Sequence, residues 1–85
     1  MPEISRFLGI IITMYYDEHN PPHFHAKYGS FKISIEIESG IVKGEFPKRA
    51  LRAVLEWYDL HKEELMLNWK LAVNDGQLNN IKPLE

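Results

Sequence analysis

The sequence predicts an α+β fold, in which an antiparallel meander of three or four strands precedes a long C-terminal helix packed on the sheet. Apolar and polar residues alternate in much of the first half, as strands with one buried face require. In the second half the apolar residues recur with the period of a helix. The 85 residues have room for one core. We therefore expect a single domain over residues 1–85, with a β-sheet half (1–46), a helical half (47–75) and a tail (76–85).

Four stretches of the β-sheet half are predicted to form strands: Leu8–Tyr16, His23–Tyr28, Phe31–Glu38 and Ile41–Phe46. The first is almost continuously apolar, which is typical of a central strand covered on both faces. The second and third alternate, and Gly29-Ser30 between them favours a tight hairpin. Alternation directs one set of side chains inward, namely Phe24, Ala26, Tyr28, Phe31, Ile33, Ile35 and Ile37. It directs His23, His25 and Lys27 to the other face.

The helical half begins after Pro47, which suits the first turn of a helix, and its pattern runs to about Asn74. Gly76 is available for the left-handed position beyond the helix end. Two apolar stripes run along this helix and together are wider than one sheet face covers. The first stripe contains Leu51, Val54, Leu55, Tyr58, Leu65, Trp69 and Ala72, and the second contains Ala53, Trp57, Leu60, Leu67 and Leu71.

This surplus of apolar surface has two explanations. Either the chain bends near residues 59–62, giving a bent helix or two abutting helices that use different faces, or the second stripe binds a partner. We expect a bend combined with a partner interface formed by Trp57, Leu60, Leu67 and Leu71. The apolar residues of the tail are expected to dock either on the core or on another chain, and they are Leu78, Ile81 and Leu84.

Composition excludes several classes of protein. The absence of cysteine excludes disulfides and thiolate zinc sites. Histidine-based binding of a divalent metal, and homo-oligomerisation, stay open as ways to stabilise so small a domain. A net charge of −2 disfavours nucleic-acid binding through bulk charge, although it is compatible with a local basic patch. No apolar run approaches the roughly 20 residues that span a bilayer, so we expect no membrane association and a cytoplasmic location.

Three of the four histidines surround a pair of prolines. His23 and His25 are two apart on a predicted strand, so their rings project from one face with Cα atoms roughly 6.5–7 Å apart. Such a pair can act as general base and acid in phosphodiester cleavage, contact a phosphate when protonated, or hold a divalent metal with Asp17 or His19. Ordinary surface histidines at the start of a strand would give the same pattern. His61, alone on the helix, is interpreted as a partly buried core residue without a catalytic role.

Lys48, Arg49 and Arg52 form a basic cluster in the first helical turns. Cations at a helix N-terminus oppose the macrodipole, so helix stability does not explain this placement. The cluster is interpreted either as a solvated surface or as a phosphate and nucleic-acid contact near the histidine strand.

Several motifs resemble one family across essentially the whole chain. These are Pro2–Phe7, Met14–His19, Pro21–Ala26, Tyr28-Gly29, Pro47–Leu51, Leu55–Trp57, His61 and Asn68-Trp69. The family is catalogued as domain of unknown function 4160, and it has no established activity. The resemblance implies a small prokaryotic protein, often encoded beside a second small protein and regarded as a candidate toxin–antitoxin component. The family's histidine motif falls on His23 and His25, with Asp17 and His19 as companions in the loop.

Three functional hypotheses follow. In the first, the chain is a toxin–antitoxin component that binds a small cognate protein and, as a toxin, cleaves RNA with His23 and His25 as base and acid. In the second, it is a metal-binding module or a metal-dependent enzyme. In the third, it is a non-catalytic adaptor or antitoxin whose helix stripe is the interface. The sequence leaves open whether the protein is an enzyme.

Overall fold

A computed structural model describes residues 2–16 and 19–84. Five β-strands and one α-helix follow one another along the described chain: β1 (Glu3–Phe7), β2 (Ile10–Thr13), β3 (His23–Tyr28), β4 (Phe31–Glu36), β5 (Val42–Glu45) and α1 (Lys48–Val73). The strands form one antiparallel sheet in the order β1-β2-β3-β4-β5. The structure confirms the predicted α+β meander and long helix, with more strands than the three or four expected. Among the described residues, no helix has both the length and the apolar content that crossing a lipid bilayer requires.

The extra strand is β1, which precedes the predicted first strand Leu8–Tyr16, and the structure shortens that predicted strand to β2. Leu8 and Gly9 form a turn with positive φ angles of 52° and 79°. This turn folds the preceding residues back as β1, whose pairing with β2 includes a bulge between Glu3 and Ser5. The prediction missed the turn because the apolar run continues through Leu8, which projects into solvent at 70% exposure.

Helix α1 covers one face of the sheet. That face supplies the inward side chains of the strands, among them Ile10, Ile12, Phe24, Ala26, Ile33 and Ile35, all of them buried. The ring of Trp57 lies 5.5 Å from that of Phe7 and 5.8 Å from that of Phe24. The alternation predicted for β3 and β4 is therefore confirmed except next to the hairpin turn, where Tyr28 and Phe31 are 37% and 43% exposed.

The predicted bend in the helix is confirmed at His61. Its backbone leaves helical geometry, with φ −126° and ψ 23°, while helical residues continue on both sides. The His61 Nδ1 lies 2.6 Å from Glu64 Oε1, and its side chain is 14% exposed, as a partly buried core histidine requires. The bend does not change the buried face, because the buried residues on its two sides continue one stripe at helical spacing. They are Val54 and Trp57 before it and Leu65, Asn68, Trp69 and Ala72 after it.

The end of the helix differs from the prediction in one residue. Asp75, rather than Gly76, takes the left-handed conformation, with φ 55°. The amide of Gly76 donates to the Leu71 carbonyl at 2.7 Å, and that of Asp75 donates to the Ala72 carbonyl at 3.2 Å. These two bonds define a Schellman motif that places the left-handed residue directly after the cap residue Asn74. Gly76 instead packs closely on Leu71, where a Cβ would lie 3.3 Å from the Leu71 side chain.

The tail docks back on the core of its own chain. The amide of Ile81, a buried residue, donates to the Ile4 carbonyl at 2.8 Å. Trp57 Nε1 donates to the Lys82 carbonyl at 2.9 Å. The fully buried Asn68 both donates to the Asn79 carbonyl and accepts from the Asn79 amide, each at 2.9 Å. The tail therefore adds a layer that closes over α1 and β1.

We expect Asn68→Ala to lower the free energy of unfolding by about 1–3 kcal/mol, because it leaves two backbone groups of Asn79 without partners in a partly buried position. Urea denaturation followed by circular dichroism measures this change. The matched control is Asn74→Ala, which removes one exposed bond to the Lys70 carbonyl and should cost less than about 0.5 kcal/mol. Equal effects of the two substitutions would contradict the role assigned to Asn68.

Candidate functional site

The sheet face opposite α1 carries polar and cationic side chains. Residues in register on neighbouring strands project to the same side of a sheet. One such row crosses all five strands and contains Glu3, Thr13, His25, Ser34 and Lys43. The next row towards the β3–β4 turn contains Arg6, Ile11, Lys27, Lys32 and Glu45. In the opposite direction along β3, but on the same face, His23 pairs with Glu36. We call the surface formed by these residues the open face.

The predicted histidine pair lies on the open face with its rings adjoining. The ring centroids of His23 and His25 are 5.1 Å apart, and the ring planes meet at 74°. His23 Nδ1 lies 2.8 Å from the carbonyl oxygen of Pro21, to which it donates. The His23 ring also lies 5.4 Å, between centroids, from that of Trp69, so the first residue of β3 reaches α1 at the rim of the open face. A carbonyl and an indole therefore hold His23 in one orientation.

His25 adjoins a cavity on the open face. Its ring makes an edge-to-face contact with Tyr15, with centroids 4.8 Å apart. The cavity has a volume of about 250 Å³ and is lined by Glu3, Ile11, Thr13, Tyr15, His25, Ala26, Lys27 and Lys32. It therefore brings an imidazole, two hydroxyl groups and two ammonium groups together beside the same space.

The open face is more positive than the chain as a whole. It carries four cations, Arg6, Lys27, Lys32 and Lys43, against three carboxylates, Glu3, Glu36 and Glu45, in a chain of net charge −2. Arg6 is held by Glu3, with Nη2 at 2.7 Å from Oε1. This hydrogen bond and the charge of Glu3 raise the pKa of the Arg6 guanidinium. The three lysines are exposed and extend from β3, β4 and β5.

The structure separates the basic cluster of Lys48, Arg49 and Arg52 from the histidines. All three are exposed at the start of α1, and Arg49 lines a cavity of about 190 Å³ together with Tyr28. Tyr28 ends β3 whereas His23 begins it, a separation of roughly 16 Å along the strand. The cluster therefore adjoins the histidine strand at its Tyr28 end, away from His23 and His25. Its role, as a solvated surface or as a phosphate contact, stays a prediction. The start of the helix lies over the opposite end of the strand.

The cations near the histidines are instead Lys27, Lys32 and Lys43. The position of Lys27 was predictable from the sequence, because alternation along the strand puts it on the same face as His25. The same alternation puts Lys32 on the outward face of β4. Lys43 needs the register of β4 and β5, which pairs it with Ser34.

The residues of the metal hypothesis are only partly brought together. His19 and His23 line one surface cavity of about 220 Å³ with Glu36. Asp17 lies outside the described residues. Within residues 2–16 and 19–84, no group of three or more histidine, aspartate or glutamate side chains is arranged to hold a metal ion. The metal hypothesis thus has no complete ligand set in the described part of the chain.

The predicted partner interface divides into buried and exposed residues. Trp57 is fully buried in the core, where the tail covers it, so the second stripe is not a continuous surface. Leu71 is half-buried and packs on Gly76. Leu60 and Leu67 are exposed, at 67% and 52%. The interface prediction is thereby reduced to these two leucines.

A family model with the description "Domain of unknown function (DUF4160)" matches residues 9–70. The chain therefore belongs to this family. The match extends from the β1–β2 turn into the second segment of α1 and contains the open face apart from Glu3 and Arg6. Neither the curated proteins nor the solved structures include a match to this chain.

Proposed function

We propose that this protein is the RNA-cleaving toxin of a toxin–antitoxin pair, and that the open face is its active site. The observation that carries the proposal is the adjoining pair of imidazoles, His23 and His25, on a sheet face that also presents lysines. Imidazole both accepts and donates protons near neutral pH. Two adjoining imidazoles, His25 lining one surface cavity and His23 another, therefore supply the base and the acid that RNA cleavage needs.

The reaction begins with the proton of a ribose 2′-hydroxyl, which His23 removes. The 2′-oxygen then attacks the adjacent phosphorus atom, and the bond from phosphorus to the 5′-oxygen breaks. His25 gives its proton to that leaving oxygen. The products are a 2′,3′-cyclic phosphate and a free 5′-hydroxyl. No water, metal or cofactor takes part in this step.

The surroundings of His23 suit the role of base. Because Nδ1 donates to the Pro21 carbonyl, the lone pair of the neutral ring is on Nε2. The same bond stabilises the imidazolium formed after proton transfer, and the contact with Trp69 limits rotation of the ring. A base held in this way loses little conformational entropy when substrate binds.

The row that contains His25 supplies charge stabilisation. Ser34 is in register with His25 on one side and with Lys43 on the other. Negative charge develops on the phosphate oxygens during the attack, and an ammonium group directed at those oxygens stabilises it. Lys43 is placed for this role because it extends from the same row as the acid.

Purified protein is expected to cleave single-stranded RNA to products with 2′,3′-cyclic phosphate ends in the presence of a chelator. His23→Ala and His25→Ala should each reduce the rate by 10²–10⁴-fold, the usual contribution of general acid–base catalysis. His61→Ala is the matched control, since its ring contacts Trp57 on the helix-covered side of the sheet, and should retain activity. Gel analysis of labelled RNA, with melting curves for each variant, makes the comparison.

Two outcomes would contradict this mechanism. Cleavage that a chelator abolishes, and that a divalent metal restores, would favour the metal-dependent alternative. No cleavage by the wild-type protein, or equal cleavage by the double variant His23→Ala/His25→Ala, would remove the catalytic role of the histidines. The non-catalytic adaptor or antitoxin would then be the better account.

The cognate protein of the pair is proposed to bind the exposed leucines of the bent helix. Leu60 lines two surface cavities in which carboxylates outnumber lysines, with Glu56, Asp59, Glu63 and Glu64 against Lys62 and Lys82. An apolar side chain with an excess of negative charge around it suits a partner with an apolar residue inside a basic rim. Leu67 continues this surface beyond the bend.

Expression of the chain alone is expected to arrest bacterial growth, and co-expression of the protein encoded by the adjacent gene is expected to restore it. Leu60→Ser/Leu67→Ser should still arrest growth but should no longer be rescued, because the partner loses its contact. Ile41→Ser is the control, since Ile41 is 53% exposed but lies outside the helix. Rescue of the double leucine variant at matched protein levels would contradict this interface.

A further inference from the structure

Two lysines face each other at the turn end of the β3–β4 hairpin. Lys27 and Lys32 are directly opposite in register, with only the pair Tyr28 and Phe31 between them and the turn. Both are exposed, and both line the cavity that also contains His25. The hairpin thus holds two ammonium groups next to one another beside the proposed active site.

Stability of the fold does not explain this arrangement. Like charges directly opposite on paired strands destabilise a sheet. Among the described residues, the side chains of Lys27 and Lys32 make no hydrogen bond or ion pair. The carboxylate in register with the pair is that of Glu45, opposite Lys32 on β5. Glu3, in the neighbouring row, lines the same cavity and binds Arg6.

The position of the pair relative to His25 indicates the ligand. Lys27 is two residues beyond His25 on β3, so the lysine row lies roughly 7 Å from the histidine row. This separation is comparable to that between successive phosphates along an extended nucleotide chain. A phosphate at His25 therefore has its neighbour at the two lysines.

We propose that Lys27 and Lys32 form a binding subsite for the phosphate next to the one that is cleaved. The proposal rests on the proposed function for the identity of the scissile phosphate. The anion neutralises the repulsion between the two ammonium groups, so the pair binds an anion better than either lysine would alone. The preferred substrate is consequently single-stranded RNA with at least one phosphate beyond the scissile bond, and not a dinucleoside monophosphate.

The binding test uses the protein carrying His23→Ala/His25→Ala, which cannot cleave by the proposed route, and a fluorescent oligouridylate. Adding Lys27→Ser/Lys32→Ser is expected to weaken binding at low salt. It should also reduce the magnitude of the slope of log K against log salt by about 0.7, which corresponds to one phosphate contact on a single strand. Lys48→Gln/Arg49→Gln/Arg52→Gln, in the same background, is the matched control and should leave the slope unchanged.

The cleavage test compares a dinucleoside monophosphate with a trinucleotide that carries one further phosphate. The wild-type protein should show a higher kcat/KM for the trinucleotide. In Lys27→Ser/Lys32→Ser, kcat/KM should fall further for the trinucleotide than for the dinucleoside monophosphate, so that the preference is lost. Because the lysines are exposed, the melting temperature should change little.

The outcomes separate this inference from the proposed function. Lysine-dependent binding without cleavage by the wild-type protein supports the subsite and contradicts the RNA-cleaving activity. Cleavage with an unchanged salt slope and an unchanged substrate preference in the lysine variant overturns the subsite alone. Absence of oligouridylate binding, or a slope that changes only in the Lys48→Gln/Arg49→Gln/Arg52→Gln variant, also overturns the subsite.

Discussion

The buried side chain of Trp57 contacts the sheet, the helix and the tail. Its indole contacts Phe7 of β1 and Phe24 of β3, lies 5.5 Å from the ring of His61 at the helix bend, and donates to the Lys82 carbonyl in the tail. One fully buried side chain thus connects the sheet, the bend of the helix and the tail. Because all of these elements gather on one side of the sheet, the other side is left to the polar rows of the open face. The location of the candidate site is a consequence of where the core is.

Much of the fold follows from residue patterns, and the exceptions have physical reasons. The helix limits, the β3–β4 hairpin and the bend near residues 59–62 were predictable because periodicity and turn residues are local signals. The first hairpin was missed because Leu8, an apolar residue, occupies a turn position with positive φ. Asp75 replaced Gly76 as the left-handed residue because the two closing hydrogen bonds, and not residue preference alone, determine that position.

The site was predictable to the extent that it depends on one strand. Alternation along β3 gave the common face of His23, His25 and Lys27, and the structure confirms it. Register across strands, which brings Lys32 and Lys43 to the same surface, is a property of pairing and not of any one strand. The placement of the cations of the first helical turn depends on where the helix crosses the sheet, and local sequence carries no signal for that.

Tertiary contacts decide which apolar residues of the helix are buried. Trp57 and Leu60 belong to one stripe on a straight helical wheel, yet one is fully buried and the other is 67% exposed. Both residues precede the bend at His61, so the bend does not cause this difference. The tail covers Trp57, whose indole donates to the Lys82 carbonyl, and leaves Leu60 exposed. A helical wheel carries no information about the tail, so it cannot separate these two residues. The exposed remainder of the stripe is small, and carboxylates predominate around Leu60.

The most direct test of the account is a nuclear magnetic resonance titration with an oligonucleotide in which deoxyribose replaces ribose, so that no cleavage occurs. The account predicts that signals of the open face shift together, with the largest changes at Thr13, His25, Lys27 and Ser34. Signals of the first turns of α1 should stay in place. Shifts confined to residues 48–52 of the helix, or to Leu60 and Leu67, or no shifts at concentrations that saturate weak phosphate binding, would contradict the assignment of the open face as the active site.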